Sequence, residues 1–372
     1  MVTTIIIFIV ILGLLVFVHE LGHFIAARKS GMKVDEFGFG FPPRMFGLQK
    51  IEGKWKIIWG HKPPLDKDQT VYSVNWIPLG GFVKIRGENN EHEEDPRSFI
   101  NRPFGARLIT LVAGVLMNVL LAWALISVGY SIGLPVALED INQIPKGATF
   151  TDSQNAIIEV VPGLPAAEAG IKPGDIVVSV NGQKFNNIDE LRDYIRGNAG
   201  AEFNFEIKRV TENLNLKVQS IKEPKPGEGP TGIALANLGK LQYPWYSAVW
   251  QGAKTTIVQL QNIVVGLYTL ISGKLGLSSL GGPVKIAQLT GQVADMGFNY
   301  LLQFTAFLSL NLAILNILPF PALDGGRVAF LIIEKFRGKR NNQKLEQYVN
   351  TAGFVFLLLL MLLVTIKDVK GF

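Results

Sequence analysis

The sequence predicts a polytopic α-helical membrane protein with about four transmembrane helices, a membrane-associated β-hairpin region and one soluble α+β module. Three observations predict it. Apolar residues are bunched into long blocks, each long enough to cross a hydrocarbon core of about 30 Å. Only 18% of the 372 residues are charged, against about 25% in soluble domains, and mean hydropathy is +0.27. Between the second and third blocks lies a run of short alternating strands and turns with one helical stretch, the pattern of a compact soluble unit.

The first span, 1–27, is apolar until His19. It lacks a basic n-region, so it reads as a retained helix rather than a signal peptide cleaved near Ala26-Ala27. Residues 28–106 form a basic connection, cytoplasmic or membrane-re-entrant, with β-like runs at 54–59 and 71–77. The second run leads into Pro78-Leu79-Gly80-Gly81-Phe82-Val83-Lys84-Ile85. Pro and Gly between alternating runs predict a hairpin or bulged loop. The acidic tract 88–95 reads as a solvated loop.

The second span, 107–134, carries no charge from Leu108 onward. A linker, 135–155, leads to the soluble module, 156–222. Its pattern is a strand at 157–161, turns at Pro162-Gly163 and Asn181-Gly182, a strand at 176–180, a helix near 188–195 and two more strands. Residues 223–295 read as a Pro- and Gly-rich linker followed by an amphipathic helix at 255–273. There Gln259, Gln261 and Asn262 argue for a helix lying on or dipping into the membrane rather than crossing it. The third span is 296–326, the loop 327–347 is basic, and the fourth span is 348–367.

The net charge of +6 is concentrated in connections between apolar blocks. That distribution fits cytoplasm-facing loops and a lipid bilayer partner, not nucleic acid. With no cysteine, a disulfide framework and a thiolate metal site are both excluded.

The strongest chemical signal is His19-Glu20-Leu21-Gly22-His23. Positions i and i+4 share a helix face, so both imidazoles can reach one cation. Zinc accepts neutral imidazole nitrogen, and the intervening glutamate can act as base toward water. Ionisable side chains inside a span are costly and usually functional. A third ligand is still needed. His61 and His92 lie in the polar connection and read as surface residues. Asp324 closes Asn316-Ile317-Leu318-Pro319-Phe320-Pro321-Ala322-Leu323-Asp324-Gly325-Gly326, where two prolines break a helix at membrane depth.

Topology supports Asp324. The run 2–18 is about 25 Å of helix, which puts the histidines near the far edge of the core. If 255–273 does not span, the third span delivers Asp324 to the same depth. Arg327, Lys335, Arg337, Lys339, Arg340 and Lys344 then face the cytoplasm, as the positive-inside rule requires.

These motifs together resemble the site-2 protease family of intramembrane zinc metalloproteases, most closely its bacterial regulator-of-sigma-E protease branch. The resemblance spans nearly the whole chain. It runs through the first motif, the Pro78–Lys84 loop, Ser98-Phe99 with Arg102-Pro103, Gly281-Gly282-Pro283-Val284 and the Asn316–Gly326 run. It implies a Zn2+ cofactor held by His19, His23 and Asp324, with Glu20 catalytic. It implies a PDZ-like fold for 156–222, which would bind a peptide or carboxyl terminus or gate the site. It implies that the loop carrying Gly80, Gly81 and Phe82 dips into the membrane and pairs with an unwound substrate strand. Asn316 and Asn311 could hold substrate backbone or tie helices together.

Two departures stand out. Val115 follows Gly114 where the family commonly has proline ahead of the asparagine that is Asn118 here. A single PDZ-like module is present where the best-known relatives have two.

The implied function is hydrolysis of peptide bonds in or near transmembrane segments, with anti-sigma factors or remnant signal peptides as substrates. The implied place is a bacterial cytoplasmic (inner) membrane, with the PDZ-like domain extracytoplasmic and the zinc site near the cytoplasmic side. A non-catalytic membrane scaffold or receptor is the alternative. A metal transporter is a third, although its path would want several ligand clusters and the sequence shows one.

Overall fold

The computed structural model describes residues 2–88, 94–140, 144–185, 187–210, 212–224, 229–273 and 281–370, and of Leu79 the backbone only. His92 and most of the acidic tract 88–95 lie outside the described residues. In chain order the elements are α1 (Val2–Lys29), β1 (Val34–Ile51), β2 (Lys54–Trp59), β3 (Val71–Ile85), a 3-10 turn at Phe99–Asn101, α2 (Phe104–Ile132), β4 (Leu134–Leu138), β5 (Thr149–Val160), α3 (Pro165–Glu168), β6 (Ile176–Val180), α4 (Ile188–Gly197), β7 (Glu202–Arg209), β8 (Glu212–Gln219), β9 (Ile233–Gln242), α5 (Trp245–Ile271), α6 (Pro283–Met296), α7 (Phe298–Ile317), α8 (Asp324–Arg337) and α9 (Gln343–Lys370). Helices α1, α2, α7 and α9 are long and apolar enough to cross a membrane. They leave Ile5, Ile6, Val10, Leu116, Phe354 and Leu363 exposed, the pattern of helix faces that meet lipid.

The chain divides into two compact units. The first comprises Met1–Leu125, Ala253–Ala294 and Phe304–Phe372. Its sheet has the order β2-β1-β3, and both long strands double back. Phe37 pairs with Tyr72 and with Val83, and Gly38 with Ser73 and with Phe82. The start of β1 therefore lies between the two halves of β3. The second half of β1 pairs with 72–75 and with β2.

This sheet packs along α1. Phe17 is 5.4 Å from Phe37 between ring centroids, and Phe24 stacks on Phe37 at 4.7 Å. Gly80 has φ +91, and a Cβ there would collide with Val16. The β3 turn thus reaches the level of residues 13–17, inside the apolar stretch of α1. A second cluster of Ala27, Met32, Val34, Ile85, Phe99, Leu111 and Leu331 ties the ends of α1, β1 and β3 to α2 and α8.

The second unit comprises Ile126–Gly252 and Asp295–Gln303. Its six strands run β4-β9-β5-β6-β7-β8, with α4 packed on a core that includes Ile157, Leu191, Phe203, Phe205 and Ile207. Asp175 is buried and accepts from Arg209 Nε and Nη2, both at 2.7 Å.

The structure changes several boundaries. The linker expected at 135–155 contains β4 and the first half of β5. The module expected at 156–222 is completed by β9, which lies between β4 and β5. Residues 223–295 are mostly ordered elements: the helix expected at 255–273 begins at Trp245 and α6 follows. The third span expected to run through 326 stops at Ile317, because Pro319 and Pro321 lack the amide hydrogens a helix needs. Much of the loop expected at 327–347 is helical, in α8.

Candidate metal centre and its surroundings

Helix α1 presents His19 and His23 on one face, both buried. What lets α2 approach them is glycine. Gly22 of α1 rests on the backbone of Ala113, and Gly114 of α2 faces both imidazoles, where a Cβ would clash with His23 Nε2. Removing two side chains at one crossing brings the helix backbones together, as small residues do in membrane bundles.

The third donor comes from the far end of the chain. Asp324 Oδ2 lies 2.9 Å from His19 Nε2 and 3.4 Å from His23 Nε2, and the two Nε2 atoms are 3.1 Å apart. All three donor atoms fall within 4.8 Å of one another. Donors about 2.0–2.1 Å from a tetrahedral zinc ion would stand about 3.3 Å apart. The three separations bracket that edge length, so the donor set fits zinc with a fourth position open. His23 Nδ1 donates to the Thr110 carbonyl at 2.8 Å, which turns the Nε2 lone pair toward the centre. His19 Nδ1 lies 3.2 Å from Asn118 Nδ2.

Asp324 opens α8 instead of ending the preceding span. Gly325 and Gly326 pack on the backbone of 317–321, and Gly353 of α9 admits Pro321. The Ala322 N–H donates to Asn350 Oδ1 at 3.2 Å. Two ion pairs hold the rest of α8. Arg107 of α2 grips Glu334 at 2.7 and 3.1 Å, and Arg327 pairs with Glu88. A carboxylate in the first turn of a helix is also favoured by the helix dipole.

Glu20 Oε2 accepts the Val83 N–H at 3.1 Å. Val83 pairs with Phe37 on its other side, so Glu20 occupies a donor on the open edge of the sheet. Gly80, Gly81 and Phe82 immediately precede it, beside Val16 and Phe17. Asn316 is half-buried near the end of α7, while the Asn311 amide donates to the Phe307 carbonyl of its own helix. His61 is exposed. Nothing in the sequence alone marks Gly114 or Thr110 as part of this site. For Asn118 a signal existed, since an amide in an uncharged span is expensive unless used.

A family model described as peptidase family M50 matches residues 7–61 and 62–360. A putative zinc metalloprotease of Clostridium perfringens is 35% identical over 356 residues, 95% of this chain and 95% of that protein. The regulator of sigma-W protease RasP of Bacillus subtilis is 32% identical over 454 residues, 99% of each chain. Among solved structures, the PDZ domain of an SdrC-like protein from Listeria monocytogenes matches 23% of this chain and 92% of that domain, at 24% identity and a TM-score of 0.21.

Proposed function

The chain belongs to peptidase family M50 and is an intramembrane zinc metalloprotease, and from that premise we propose that His19, His23 and Asp324 hold the zinc ion and that Glu20 is the catalytic acid and base. The observation that carries this reading is the three-donor cluster, whose spacings match the edges of a zinc tetrahedron. Bound there, zinc supplies Lewis acidity, polarising the scissile carbonyl and easing deprotonation of water. Glu20 takes the water proton and later delivers it to the departing amine. Its carboxylate is aimed by the Val83 N–H.

A helical substrate hides its carbonyls in its own hydrogen bonds, so it must be cut as an extended segment. The half-strand 81–85 pairs with residues of β1 on one edge, and at its other edge the Val83 N–H meets Glu20. An unwound transmembrane segment added at that edge would run beside Glu20, held by main-chain hydrogen bonds that tolerate many sequences. Gly80, Gly81 and Phe82 belong to this grip, and Asn316 sits where the helix break exposes backbone.

We assign the zinc site to the cytoplasmic side of a bacterial cytoplasmic membrane, on the basic residues of 327–347, and the PDZ-like module to the opposite side. Substrates of the anti-sigma-factor or remnant-signal-peptide kind fit this arrangement; the Bacillus relative is named a regulator of sigma-W protease. Family membership sets aside the scaffold reading. The test uses purified protein and a single-span substrate. Glu20→Gln is expected to keep its zinc while cleavage falls at least about 100-fold, the lower end of what a general base contributes. Normal proteolysis by that variant would refute the assignment.

A further inference from the structure

Asn118 is fully buried in α2, an uncharged apolar helix. Its Nδ2 lies 3.2 Å from His19 Nδ1, while its Oδ1 is buried with no hydrogen-bond partner. Ser309 of α7 donates to the Asn118 backbone carbonyl at 2.8 Å, so this turn of α2 is pinned to a neighbouring span. An amide oriented toward a histidine ring, with one polar atom unanswered, invites a functional account.

We propose that Asn118 is a positioning residue for His19, setting the imidazole tautomer that metal binding requires. An amide nitrogen at this place suits a His19 ring whose Nδ1 accepts and whose Nε2 carries the proton. In that tautomer Nε2 has no lone pair to offer a cation. A cation on Nε2 needs the ring proton on Nδ1 instead, and then an acceptor must stand where Nδ2 now lies. A half-turn of the amide exchanges nitrogen and oxygen and brings Oδ1 to that place.

A primary amide can serve both states. A carboxylate serves only the loaded one, and an alkyl group serves neither. His23 is held differently: its Nδ1 faces the Thr110 carbonyl, which can only accept, so its tautomer is fixed whether or not metal is present. The two histidines are therefore supported by one permanent partner and one reversible partner. This inference rests on the reading of His19, His23 and Asp324 as ligands.

The experiment measures zinc affinity of the full chain in detergent by competition with a chromophoric chelator. Wild type, Asn118→Leu, Asn118→Asp and His19→Ala are compared. The histidine tautomers of wild type are read by nitrogen NMR with and without zinc, which the presence of four histidines makes tractable. Asn118→Leu should lose about 10–100-fold in affinity, as outer-shell partners typically do, and Asn118→Asp should stay within about a few-fold of wild type. His19 should move its proton from Nε2 to Nδ1 on zinc binding.

Wild-type affinity in Asn118→Leu overturns the proposal. So does equal loss in the leucine and aspartate variants, which would mark a packing role, and so does an unchanged His19 tautomer. The NMR comparison needs no variant, so it decides even if Asn118→Leu fails to fold. Full zinc affinity in His19→Ala would instead remove the ligand reading itself, and this inference with it.

Discussion

Glu20 Oε2 accepts the backbone N–H of Val83 at 3.1 Å, so the proposed acid–base group is anchored to the sheet edge and not to another side chain. Proline at 83 removes that donor without changing charge. Val83→Pro is expected to lower kcat about 10-fold or more, since a hydrogen bond to a charged group contributes about 1.5–3 kcal/mol. Zinc content should stay at the wild-type level. Cleavage kinetics with metal analysis checks both halves, and undiminished kcat would mean the anchor is dispensable.

Gly114→Ala sets intrinsic preference against sterics. Alanine is the better helix former by about 1 kcal/mol, so α2 should form at least as well. Its Cβ would enter the space of the His23 ring. The expected result is unchanged helix content by circular dichroism together with loss of bound zinc and of cleavage. A fully zinc-loaded Gly114→Ala protein would contradict the close approach.

Asp324→Ala should weaken zinc binding more than the roughly 10–100-fold typical of losing an outer partner, because it deletes a donor. Chelator treatment of wild type should abolish cleavage, and added zinc should restore it. In Asp324→Ala, zinc at the concentration that restores wild type should fail to do so. Rescue of the variant at that concentration would place the third ligand elsewhere.

Acid stability has a definite sign at Asp95. The Arg97 backbone N–H, then the Arg86 and Arg97 side chains, hold its carboxyl well below the usual carboxylate range. A depressed folded value adds stability above the unfolded value of about 3.9, and that stability is lost as pH falls through the folded value. Thermal unfolding should therefore be insensitive to this group from pH 7 to 5 and should fall progressively below about pH 4. Asp95→Asn should be less stable than wild type at neutral pH and should show a shallower acid decline. Parallel acid profiles for the two proteins would remove Asp95 from the account.

Much of this was legible in the sequence because the signals were local or strongly periodic. The spans are visible because a bilayer demands about 20 apolar residues in a row. His19 and His23 are visible because a helix brings i and i+4 together. The doubling back of β1 was not visible, since its pairing with both halves of β3 depends on glycines such as Gly38 that carry no strand preference. Strand β9, Ile-Ala-Leu-Ala-Asn-Leu-Gly-Lys-Leu-Gln, is poor in β-branched residues and takes its place from partners far away in sequence. The start of a new helix at Asp324 was hidden because a Pro-rich break can end a span or merely interrupt the helical path. Asn118 was in view but unassigned, since its meaning lies in a ring that α1 supplies.

His19 and Asp324 meet across a separation of 305 residues, and Asp324 rides on a short helix clasped by Arg107 and Glu88, with Asn350 holding Ala322 just ahead of it. During synthesis, then, the first two donors enter the bilayer long before the third exists. A half-made chain carries Glu20 but only two of the three proposed donors. On the proposed ligand set, the cutting site is therefore complete only once the carboxyl-terminal spans arrive with the last donor.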